Sequence, residues 1–138
     1  MGHFVSVRGW LEIDKQMEPG VLKLVKHFSE NAPTFGITSE EGEFYLQGWV
    51  FPEKHINWTK YIYYGADVRV RGLDFLKEHF KEIAEKIWLM DTEIKDYVTG
   101  FIFVDDESGK PFLFWKLEEG KLTEVNKYKI SHDVSGSS

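Results

Sequence analysis

The chain has no cysteine, and only four prolines and three methionines among its 138 residues. Without cysteine there is no disulfide framework, no thiolate zinc or iron–sulfur site and no thiol nucleophile. Small secreted domains commonly rely on disulfides, so the composition points to a reducing, cytoplasmic setting. Long apolar runs are missing as well. No stretch approaches the ~18–20 residues of a membrane-spanning helix. The opening residues, Met1 to Arg8, contain no basic segment leading into an apolar one, so no signal peptide is expected. Positive charge is in deficit, with 17 Lys and Arg against 23 Asp and Glu, a net charge of −6. Duplex nucleic acid is bound mainly through phosphate neutralisation and is not an expected partner. An acidic chain suits good solubility or a basic protein partner.

Aromatic side chains are what the sequence has in abundance: 11 Phe, 6 Tyr and 5 Trp, or 16% of the chain. One core of this size does not need so many, so part of them is expected on a surface. The length fits a single domain, expected over residues 1–133, with the small polar stretch 134–138 as a flexible tail.

Hydrophobic periodicity supplies the elements. Residues 3–13 alternate as a strand, with Val5, Val7, Leu11 and Ile13 on one face and Phe4, Ser6, Arg8, Trp10 and Glu12 on the other. Gly9 marks a bulge or a close approach. A helix follows from Asp14 or Glu18-Pro19, carrying Met17, Val21, Leu22, Leu24, Val25 and Phe28 at helical spacing and ending at Asn31-Ala32-Pro33. Residues 34–51 read as a short and a longer strand around Glu40-Glu41-Gly42, the longer one placing Tyr45, Gln47 and Trp49 opposite Phe44 and Leu46. In residues 57–71, Trp58, Ile62, Tyr64, Ala66, Val68 and Val70 face one way, and Tyr61, Tyr63, Asp67, Arg69 and Arg71 the other, with Gly65 as a bend or bulge. The next helix spans about 73–88. Then come a strand at 96–104 carrying Phe101 and Phe103, and a hairpin of 112–117 and 121–130 about Glu119-Gly120.

The order β-α-β-β-α-β followed by a hairpin predicts an α+β domain: a ferredoxin-like βαββαβ antiparallel sheet with two helices on one face, plus a C-terminal β-hairpin. The second face of that sheet would collect Arg8, Trp10, Tyr45, Trp49, Tyr61, Tyr63, Arg69, Phe101 and Phe103 as the partner- or ligand-binding set. Within this stretch, Thr99-Gly100-Phe101-Ile102-Phe103-Val104 partly resembles the RNA-recognition-motif signature. It departs at Thr99, where the family has a basic residue, and at Ile102, where it has a small one. The run also falls on the last strand of the unit, where the family uses the third, and it is read as strand composition.

Monomers seldom leave large apolar patches open to water. The hairpin could cover the second face, or another protein chain could, as a homodimer or a basic partner, or a flat nucleotide-like ligand could stack there with Arg holding phosphate. His3, His27, His55, His79 and His132 are dispersed, and no metal-ligand spacing, P-loop or nucleophile elbow occurs. Neither catalytic residues, nor a metal, nor a cofactor is expected. The leading expectation is a non-catalytic binding protein, in its narrowest form an immunity or anti-defence type inhibitor from a bacterium or phage. The alternative is a small-ligand binder using stacked rings and Arg.

Overall fold

A computed structural model describes residues 4–54, 59–90, 98–106 and 111–125. Among these residues the chain is a mixed α+β structure, with one open antiparallel six-stranded sheet and three α-helices. The strands are β1 (Phe4–Asp14), β2 (Trp49–Val50), β3 (Thr59–Arg69), β4 (Val98–Asp106), β5 (Pro111–Glu118) and β6 (Lys121–Val125). The helices are α1 (Glu18–His27), α2 (Ser39–Leu46) and α3 (Leu73–Met90). The sheet order is β2-β3-β1-β4-β5-β6. It departs from the ferredoxin-like arrangement expected: the hairpin β5–β6 continues the sheet past β4, and the segment 34–51 supplies a helix and a two-residue strand in place of two strands.

The reason for α2 lies in its first turn. Thr38 is extended and its hydroxyl accepts the Glu41 backbone N–H at 3.0 Å, the Thr-x-x-Glu arrangement of a capping box. Glu41 is then clasped from outside. The Tyr45 hydroxyl donates to it at 2.6 Å and the Arg71 guanidinium at 2.8 Å, which ties α2 to the end of β3. These bonds, the Tyr45 one foremost, hold the Glu41 carboxyl below the usual carboxylate range. The local cap and this tertiary clasp outweigh a weak alternation. Thr38→Ala is expected to cost about 1 kcal/mol in urea unfolding, and an unchanged midpoint would argue that the clasp alone holds α2.

The core lies between one sheet face and the helices. Val5, Val7, Leu11 and Ile13 of β1, Ile62, Tyr64 and Val68 of β3, Ile102 and Val104 of β4, and Trp115 and Leu117 of β5 are buried there. From the helices come Val21, Phe75, Leu76, Phe80, Ile83, Ala84 and Ile87. The inward assignments of Val5, Val7, Leu11, Ile13, Ile62, Tyr64 and Val68 hold, while Val70, expected on the same face, follows the end of β3 and is 39% exposed; one residue is added. Lys60 also faces inward, almost wholly buried, and its ammonium pairs with Glu18 at 2.6 Å. Phe44, expected in the core, projects from α2 and is 65% exposed. Trp58 lies outside the described residues.

At two points β1 and β4 come unusually close. A Cβ built on Gly9 would lie 2.0 Å from the Phe101 carbonyl oxygen, and one on Gly100 would lie 2.3 Å from that of Trp10. Only residues without side chains fit there. The expected close approach at Gly9 is thus real, and it sits directly behind the Trp10–Phe101 pair on the opposite face.

Candidate functional site

Strand alternation sends every second side chain to the face away from the helices. The register then builds rows across it. Tyr63, Trp10, Phe101 and Lys116 form one row across β3, β1, β4 and β5. Beside it run Gly65, Arg8, Phe103 and Phe114, with Val125 of β6 at the end. Trp10 is the centre. Its ring stands edge-on to Tyr61 and to Phe101, with centroids 5.7 Å away in each case. Phe101 stacks with Phe103 at 6.2 Å, and Phe114 closes a triangle at 6.1 and 5.9 Å. Tyr61 and Tyr63 are 46% and 47% exposed. No described residue lies over this face, and the hairpin widens it instead of folding across it.

The polar groups among the rings are already partnered. Arg8 pairs with Asp105 at 2.5 Å. Ser6 donates to Asp67 at 2.6 Å. The Arg69 guanidinium lies 5.2 Å from the centroid of Phe4, a cation–π distance. Glu12 holds the Tyr61 phenol above its ordinary value, chiefly by its charge and also by accepting a hydrogen bond from it. Position 65 is a gap, because nothing lies within 4 Å of a Cβ built on Gly65.

Of the nine residues expected on this face, Arg8, Trp10, Tyr61, Tyr63, Arg69, Phe101 and Phe103 are brought together there. Tyr45 and Trp49 are not, and their placement is corrected. Tyr45 is on α2, buried, its hydroxyl shared between Glu41 and the Arg69 backbone N–H. Trp49 is on β2 but turns toward the helices, against Tyr64 and Phe80. Both were assigned by an alternation that α2 interrupts. Sequence reasoning also left out Phe114 and the gap at Gly65. The parity of the hairpin, counted back from Glu119-Gly120, would have placed Phe114.

A second cluster lies within the helix layer. His79 of α3 is fully buried, and its Nε2 accepts the Trp49 indole N–H at 3.0 Å. That bond puts the imidazole proton on Nδ1, which has no partner among the described residues. Phe28 packs on the ring at 4.7 Å. Burial pushes the imidazole pKa down to about 3, so His79 is neutral. The ring is sealed from solvent by its fully buried position, and among the described residues no three His, Asp or Glu side chains are placed to hold a metal ion. No helix among them is long and apolar enough to cross a membrane.

Compared with protein-family models, with curated proteins and with solved structures, the chain finds no match.

Proposed function

We propose that this chain is a non-catalytic binding protein whose open aromatic sheet face docks another polypeptide. The observation that carries the reading is the arrangement around Trp10: a contiguous ring cluster, two nearly half-exposed tyrosines, and no covering element among the described residues. Tyr, Trp and Arg are enriched in interface hot spots, the two aromatics because they bury large area with few rotatable bonds. The polar groups are paired in advance, so covering the face leaves few charges without partners. The absence of cysteine supports a cytosolic setting. Small size and acidic charge are the support for the narrower inhibitor reading, in which docking would occlude a partner's working surface. For the architecture, we infer kinship with ferredoxin-like units, on the ground that the β1–β2 and β3–β4 connections both pass through helices.

The test uses Tyr61→Ser/Tyr63→Ser, whose exposure keeps the stability change to about 1 kcal/mol. Peptides selected from a random display library on the wild-type chain should bind this variant at least ten-fold more weakly. Binders indifferent to the substitutions would overturn the reading. So would a thermal shift of several degrees with a nucleotide that disappears in Arg69→Ala, which would establish the small-ligand alternative.

A further inference from the structure

We propose that the polypeptide docked on the sheet face is a second copy of this chain, packed sheet to sheet about a two-fold axis; this deepens the docking reading and rests on it. Three observations point to self-pairing.

The first is charge. The register places Arg8, Arg69, Lys116 and Lys121 on this face against Glu12, Asp14, Asp67, Asp105 and Glu118, so the face is close to neutral on a chain of net charge −6. An acidic face would repel its own copy, and a face built for a basic partner would carry excess acid. A near-neutral, internally paired face meets neither problem.

The second is shape. Tyr63 projects from β3, and two residues along the same strand Gly65 leaves a gap. A two-fold axis lying between the faces and crossing β3 at Tyr64 places each copy's Tyr63 over the other's Gly65. Such reciprocity, with one residue meeting a second and the second meeting the first, is what an isologous interface requires. Knob and hole are thus present on one strand, and that axis sets them against each other.

The third is area. Four strands at ~4.8 Å spacing and about seven residues at ~3.3 Å give a face of roughly 19 by 23 Å. Two copies then cover ~900 Å², below the ~1,200 Å² at which stable specific interfaces begin and within the range of weak, transient ones. The dimer is accordingly concentration-dependent.

Sedimentation equilibrium of the full chain tests this. Tyr63→Ala and Gly65→Gln, one removing the knob and the other filling the hole, should each weaken dimerisation at least ten-fold. Tyr63→Ala/Gly65→Tyr exchanges knob and hole on the same strand and should recover it to within about three-fold. Salt supplies an independent sign. Raising NaCl from 0.05 to 0.5 M screens the repulsion between two acidic chains and should tighten the dimer several-fold, whereas it would loosen the grip on a basic partner. A monomer at 1 mM in both salts overturns the inference, as does a dimer indifferent to Gly65→Gln. Shielding of Trp10 from acrylamide in the low-micromolar monomer, read against Trp10→Phe, also overturns it by assigning the face to the chain's own residues. If self-association is absent while display peptides still bind the face, the second copy falls and the docking reading stands. If the peptides also fail, both fall.

Discussion

Gly9→Ala is expected to abolish stable folding. The added methyl would stand 2.0 Å from the Phe101 carbonyl oxygen and 2.7 Å from the Ile102 Cα. Both are backbone atoms of the neighbouring strand, so no side-chain rotation relieves the contact. β1 and β4 would have to part at the middle of the sheet, opening the layer that buries Val7, Leu11, Ile102 and Val104. Overpacking of this kind, against backbone, belongs with the rare substitutions that cost on the order of 4 kcal/mol or more, a large part of the 5–15 kcal/mol that typically holds a domain together. Gly65→Ala is the matched control. It lies on the neighbouring strand, and a Cβ there meets nothing within 4 Å. It should leave stability unchanged or raise it by a few tenths of a kcal/mol, since a strand gains from losing a glycine. Urea unfolding of the pair decides the matter. Similar midpoints for the two variants would mean that β1 and β4 do not approach as closely as the structure has them.

The second large effect is acid sensitivity traced to one group. His79 is held neutral in the fold with its pKa lowered to about 3, while in the unfolded chain it titrates near 6.5. Between those values the unfolded chain binds the additional proton, so stability is complete above about pH 6.5 and falls as pH drops toward 3. The slope approaches ~1.4 kcal/mol per pH unit, which makes the chain roughly 2 kcal/mol less stable at pH 5 than at pH 7. Glu41 and Glu124, whose folded pKa values are depressed, also favour neutral pH, but their contribution is lost only as pH falls below the ordinary carboxylate range. The window from 7 to 5 therefore separates the His79 contribution from that of the two carboxylates. His79→Gln keeps an acceptor for the Trp49 indole and does not titrate, so the difference of roughly 2 kcal/mol between pH 7 and pH 5 traced to His79 should disappear in this variant. A wild-type change no larger than the variant's would sink the assignment of His79 as a buried neutral group.

Most of the open face was legible because a strand's period of two needs only correct parity. β1 and β3 are long, and their faces follow from Val5, Val7, Leu11 and Ile13, and from Ile62, Tyr64 and Val68. The segment 34–51 misled because Phe44, Leu46, Gly48 and Val50 alternate by accident, while the deciding signal was short: Thr38 and Glu41 three residues apart, with Gly36 in the left-handed region at φ 79 ahead of them. Tyr45 and Trp49 were carried to the wrong side by that one error. His79 was unreadable for another reason. A histidine on an amphipathic helix gives no local sign that an indole from a distant strand will claim its Nε2. Nor could composition say that the hairpin would extend the sheet, since the alternation of β5 and β6 fits a strand at an edge as well as one folded over a face.

The edges of the sheet carry a consequence for how copies of this chain accumulate. At one end stands β2, two residues long. At the other, β6 carries Lys121 and Glu124, the latter fastened by the Trp115 indole at 2.9 Å and the Lys77 ammonium at 3.2 Å. Short, charged margins of this kind are poor templates for strand addition. Lateral growth, the route that propagates without limit, is therefore discouraged at these two strands, while the proposed contact through the flat face is satisfied once and terminates. In the proposed dimer, an aromatic surface that would make many proteins prone to fibres is confined to a geometry in which association stops at two.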